Sequence, residues 1–122
     1  MTKTPSMTKI KRGDVVLVEV FFSSGIGAKL RPALVLSDDI YNKNRDEIIV
    51  LGITSNTKRR HEGDTAITEW EKAGLKLPSL ASAVIQTVKK DRVQKRLGLL
   101  EKNTFEKIEK NISRVLGFAI RQ

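Results

Sequence analysis

What most limits the folds open to this chain is the shortness of its apolar runs. Val15 to Phe22 is apolar throughout except for Glu19, largely β-branched or aromatic, and it stops at Ser23, Ser24, Gly25 and Gly27. Ala33 to Leu36 follows Pro32 and ends at Ser37, Asp38 and Asp39, and Glu47 to Thr54 reads EIIVLGIT. Runs of this length and composition, bounded by turn residues, predict buried strands. SNTKRRHEGD, residues 55–64, predicts a long polar hairpin loop, and DTAITE after it alternates as an edge strand would. Trp70 opens an irregular stretch through Gly74 and Pro78; Ser82 to Val88 and Leu97 to Leu100 predict two further strands around a basic turn.

One segment differs in period. Phe105, Ile108, Ile112, Val115 and Leu116 recur at helical spacing, Asn103 with Glu106 resembles a capping box, and Gly117 stands where a helix would stop. Many short strands closed by a single helix predict an α+β, mainly β domain: a small, strongly curved barrel or folded-over sheet. At 122 residues the chain has room for one such domain. Residues 1–11 read as a loose basic arm and residues 12–122 as the domain.

Charge narrows the partners. Lys and Arg number 23 against 14 Asp and Glu, a formal charge of +9. Clustered cations bind phosphates by counterion release, so nucleic acid is the favoured polyanion; a well-solvated surface is the alternative. The absence of cysteine excludes disulfides, thiolate metal sites and a cysteine nucleophile. No run approaches the roughly 20 apolar residues that span a bilayer, and residues 1–13 have no signal-peptide apolar core, so a cytoplasmic protein without membrane contact is expected.

Three segments in order, RGDVVLVEV from Arg12, LRPALVLS from Leu30 and EIIVLGITSN from Glu47, followed by AGLKLPS from Ala73 and VIQTVKKDRV from Val84, resemble the PemK/MazF toxins. The resemblance covers Arg12 to Phe118. It implies an SH3-like small barrel with helices packed outside it, a fold shared with plasmid-maintenance toxins that poison gyrase. It further implies a homodimer that cuts single-stranded RNA at short sequences without a metal or cofactor, neutralised by an acidic, partly disordered antitoxin.

RNA can be cut without a metal when its own 2′-hydroxyl attacks the adjacent phosphorus and leaves a cyclic phosphate. Arg31 aligns with the family's Arg-Pro arginine, and a guanidinium presents a fixed fork of donors to phosphate oxygens. Thr54 corresponds to the family's strand-end threonine, whose hydroxyl can donate to the scissile phosphate; turn chemistry is its alternative reading. Lys29, Ser55, Asn56 and Lys58 are expected to contact RNA, and Gln86 matches a family glutamine able to read base edges. Relatives carry Arg and Asp just before that glutamine, where this chain has Ala83, Val84 and Ile85. Those departures keep a non-catalytic nucleic-acid binder or gyrase poison as the second reading. His61, the one histidine, lies in the polar loop outside any matching motif, and Asp38 with Asp39 is expected to cap structure rather than hold a metal.

Overall fold

The computed structural model describes residues 9–21 and 24–118, so residues 1–8 of the expected arm lie outside the described residues. Six strands form one antiparallel sheet: β1 (Asp14–Phe21), β2 (Ala28–Val35), β3 (Glu47–Thr54), β4 (Thr65–Ile67), β5 (Ser79–Lys89) and β6 (Val93–Leu99). Their order across the sheet is β4-β5-β3-β2-β1-β6. Two helices accompany it, α1 (Asp39–Asn44) and α2 (Lys102–Val115).

The connection between β5 and β6 forces the sheet to curl. These strands stand four positions apart, about 19 Å in a flat sheet at ~4.8 Å per strand. A single 3-10 turn, Lys90–Arg92, joins them, and four peptide steps reach at most about 14 Å. The gap closes because the sheet rolls: β6 pairs with β1, and Val20 of β1 and Val88 of β5 pack on the same cluster. Register shifts in β1–β6 and between Leu51 and Ile53 of β3 supply the local bends.

Rolling covers both faces. Val15, Leu34, Leu51, Ile53, Ile67 and Ala81 pack with Ile108 and Ile112 of α2. Val16, Val18, Ala33, Val35, Ile48, Val50 and Val93 fill the inside of the roll, joined by Ile10. Burial on both sides explains why the β1 and β3 runs are continuously apolar rather than alternating. Ile10, from the segment read as arm, is therefore part of the packed body.

Four local readings are corrected. β2 begins at Ala28 rather than Ala33, because Pro32 lies one residue beyond the last β2–β3 pair, Ala33 with Gly52, where only β1 runs beside it and a missing N–H is tolerated. β6 begins at Val93 rather than Leu97, since its polar residues face solvent along an edge strand. The helix α1 has no counterpart in the sequence reading; Asp38 caps it, its side chain accepting the Tyr41 N–H at 2.8 Å. α2 has Glu101 at its N-cap with no side-chain cap bond, so Asn103 and Glu106 lie within the helix and form no capping box. Its end is as expected. Gly117 takes φ +80°, with Gly117 N–H bonded to Arg114 O at 3.1 Å and Phe118 N–H to Ser113 O at 2.9 Å, a Schellman pair.

Candidate functional site

Strand alternation sorts the expected site residues. On β2, Ala33 and Val35 point into the roll, so Arg31 and Lys29, at the same parity, lie on that inner face beyond the packed core. On β3, Ile48 and Val50 point inward, which gives Gly52 and Thr54 the same face. Gln86 pairs with Val50 and shares its face. The β2–β3 register pairs Ala33 with Gly52, Leu34 with Leu51 and Val35 with Val50. Carried two residues further, that register sets Arg31 level with Thr54 on the neighbouring strand.

Arg31 is exposed, paired through its backbone to Val18, and makes no ion pair or side-chain hydrogen bond among the described residues. The fork of the guanidinium is open to solvent on a rigid strand rather than at the end of a loop. Thr54 is half-buried, and its Oγ1 accepts the Asn56 N–H at 3.1 Å. This bond is turn chemistry, and it leaves room for a second role, because an accepting hydroxyl keeps its own hydrogen to donate. The turn bond holds Oγ1 in place for that donation.

The remaining expected residues divide. Lys29 lies two residues from Arg31 on the same face, and Ser55, Asn56 and Lys58 are exposed in the loop that leaves Thr54. Gln86 is four residues further along the β3 register than Thr54, about 13 Å at ~3.3 Å per residue. It lines a shallow groove of about 550 Å³ with Val20, Lys89, Arg92 and the carboxylates Glu19 and Glu47, Glu19 pairing with Arg92 at 4.0 Å. Because Val20 pairs with Lys29, the roll brings this groove round toward the Arg31 side. By strand parity Lys29, Arg31 and Thr54 thus lie on one face beyond the last β2–β3 pair, and Gln86 lies on the same face further along the sheet.

Ala83 and Ile85 pack toward α2, while Val84 is 58% exposed on the Gln86 face. All three positions before Gln86 are thus apolar. His61 is exposed; its backbone N–H bonds Asp64 Oδ2 at 2.9 Å. Among the described residues no group of three or more His, Asp or Glu is placed to hold a metal, and no helix is long and apolar enough to cross a membrane. Trp70 is half-buried against the core cluster under α2. Two groups escape a reading of the sequence. Arg12 bonds Leu36 O and Glu109 and lies 4.7 Å over the Phe105 ring; its one signal is an arginine beside the glycine that precedes β1. Lys107 and Lys110 line a second groove with Arg60; the basic loop around Arg60 reads from the sequence as an RNA contact or a charged hairpin tip, but its meeting with α2 joins residues too far apart in the chain to be grouped by spacing.

No curated protein sequence matches the chain. Solved structures do. An endoribonuclease from a mycobacterial species superposes with TM-score 0.74 at 19% identity, over 93% of this chain and 96% of that one. A mycobacterial endoribonuclease in complex with its cognate antitoxin gives 0.72 at 22% identity, over 92% and 99%. The MazE-MazF complex of Deinococcus radiodurans (Form-III) gives 0.71 at 18% identity, over 91% and 99%. These likenesses establish the rolled sheet with its C-terminal helix as a shared fold. The model of one family also matches residues 11–116, nearly the whole described body, and the chain therefore belongs to the PemK-like, MazF-like toxins of type II toxin-antitoxin systems.

Proposed function

We propose that this toxin is a sequence-selective endoribonuclease that cuts single-stranded RNA, mRNA included, without a metal. What supports the reading is the exposed Arg31 guanidinium, without an ion pair among the described residues, on the strand face that the β2–β3 register, extended two residues past Ala33 and Gly52, shares with Thr54. The 2′-oxygen attacks phosphorus, the bond from phosphorus to the 5′-oxygen breaks, and a 2′,3′-cyclic phosphate and a 5′-hydroxyl form. The 2′-hydroxyl proton leaves to water and the departing 5′-oxygen regains one from water. Arg31 binds the non-bridging oxygens as charge builds on them, and Thr54 Oγ1 donates to the same phosphate. Lys29, Ser55, Asn56 and Lys58 hold the backbone, and Gln86 reads a base edge across the roll.

The body from residue 12 onward acts as one domain, in the cytoplasm, as a homodimer. Leu116 and Phe118, exposed together at the end of α2, support burial against a second copy. The antitoxin is an acidic, partly disordered chain that lies across the positive face and hides Arg31.

The test is incubation of long single-stranded RNA with purified protein in EDTA. Discrete cuts with cyclic-phosphate ends are expected. Arg31→Ala should abolish them while the folded far-UV spectrum persists, and Thr54→Ala should slow single-turnover cutting about 10²-fold, the order for one lost oxyanion donor. A fully active Arg31→Ala removes Arg31 from the mechanism. The exposed Val84 favours one second reading, a non-catalytic binder of nucleic acid or of gyrase on the same fold. Folded, dimeric, antitoxin-free protein that leaves several RNAs whole would establish it.

A further inference from the structure

The second groove lies between β4 and α2 and holds about 390 Å³. Arg60 enters it from the β3–β4 loop, Lys107 and Lys110 from α2. Among the described residues none of the three makes an ion pair. One carboxylate shares the groove, Asp64, and its Oδ2 is engaged by the His61 N–H. Between the cations stand Thr68, which is exposed, and Asn111, whose amide gives one hydrogen to Thr65 Oγ1 at 2.6 Å and keeps the other for a phosphate oxygen; Thr104 is buried and donates to Glu101 Oε1 at 3.3 Å. Ala66 is the one apolar side chain in the lining.

Register places this groove beside the proposed catalytic face. Leu80 of β5 pairs with Thr54 on one side and Ala66 on the other. Thr54 and the start of the groove are thus two strand spacings apart, about 10 Å. The loop that joins them carries Lys58, Arg59 and Arg60, all exposed. Cations therefore lead from Thr54 along this loop to the wall of α2, a path within reach of a few nucleotides of extended strand.

We infer that the β4–α2 groove binds the phosphate backbone of the single-stranded RNA that flanks the cut, an inference that rests on the endoribonuclease reading. Its chemistry separates it from a peptide site. A disordered acidic segment gains affinity by burying apolar anchors, and here only a methyl group is offered. Phosphates need cations and hydroxyl or amide donors, which Arg60, Lys107, Lys110, Thr68 and Asn111 offer here.

The test compares wild type with Lys107→Gln/Lys110→Gln, two exposed helix positions where glutamine keeps helix propensity. The probe is 2′-O-methyl RNA, which lacks the nucleophile, as a short strand covering a mapped cut and a long one extended on both sides. Anisotropy should give the variant roughly tenfold weaker binding of the long strand and a salt slope lower by about 1.4, or 0.7 per lost phosphate contact. Binding of the short strand, and cutting of its unmethylated counterpart, should be unchanged. Lys43→Gln/Lys76→Gln, the same charge loss outside the groove, should leave the slope alone. Unaltered long-strand affinity and slope in a variant that still cuts overturns the groove assignment and spares the endoribonuclease reading. Weakened binding of an acidic peptide with RNA binding intact overturns it in favour of a peptide site. Wild-type protein that neither cuts RNA in EDTA nor binds the methylated strands overturns both.

Discussion

Gly74 and Gly98 lie where the turn after β4 passes over β6, and each is held there by the backbone opposite. Gly74 has φ +81°, and a Cβ on it would collide with the Leu97 carbonyl; a Cβ on Gly98 would come to 2.6 Å from the Ala73 carbonyl carbon and oxygen. Neither neighbour is a flexible side-chain end, so neither can yield cheaply. Gly74→Ala should cost more than about 3 kcal/mol, as large steric and positive-φ penalties do; a denaturant midpoint within error of wild type would show that the turn can lift off β6. Arg31 presents the opposite case. It is legible in the sequence because Pro32 and its flanking strand make a motif, whereas the need for glycine at 74 depends on Leu97, far along the chain. A contact between separated segments leaves no local pattern.

At the scale of elements, Arg12 does more than open β1. Its side chain bonds Leu36 O at the end of β2 and Glu109 on α2, it stacks on Phe105, and its backbone N–H donates to Asp39 Oδ1 at 2.8 Å. The start of β1, the end of β2, α1 and α2 meet on this residue. The Glu109 pair is partly solvated and contributes little by itself; the carbonyl bond and the ring contact carry the effect. Arg12→Ala should destabilise by about 1–2 kcal/mol and loosen α2 selectively. Faster amide exchange in α2 than in β3 would register this, and uniform loss across both would refute it. Strand β3 and the end of α2 are legible to the residue, since EIIVLGIT is bounded by acid and hydroxyl residues and Gly117 closes the helix. The start of β2 is not, because a proline marks a boundary unless the strand order shows a neighbour on one side only. Nor is α1, whose six residues bury only Asn42 and so carry no apolar period.

Across the whole molecule, the rolled sheet is completed by its most distant parts. Val15 of β1 pairs with Gly98 of β6, and Ile108 and Ile112 of α2 pack against Val15 and Leu34. Contacts of such long separation slow folding because loop-closure entropy is spent first. A chain ended at Leu99 should lack Leu100, Ile108 and Ile112 of one core cluster and fail to unfold cooperatively; a sharp two-state transition in that truncation would contradict this dependence. During synthesis β1 to β3 emerge early, yet β1 waits for β6, and the core above it waits for α2. The face opposite Arg31 and Thr54 therefore stays without its cover until that helix has left the ribosomal exit tunnel.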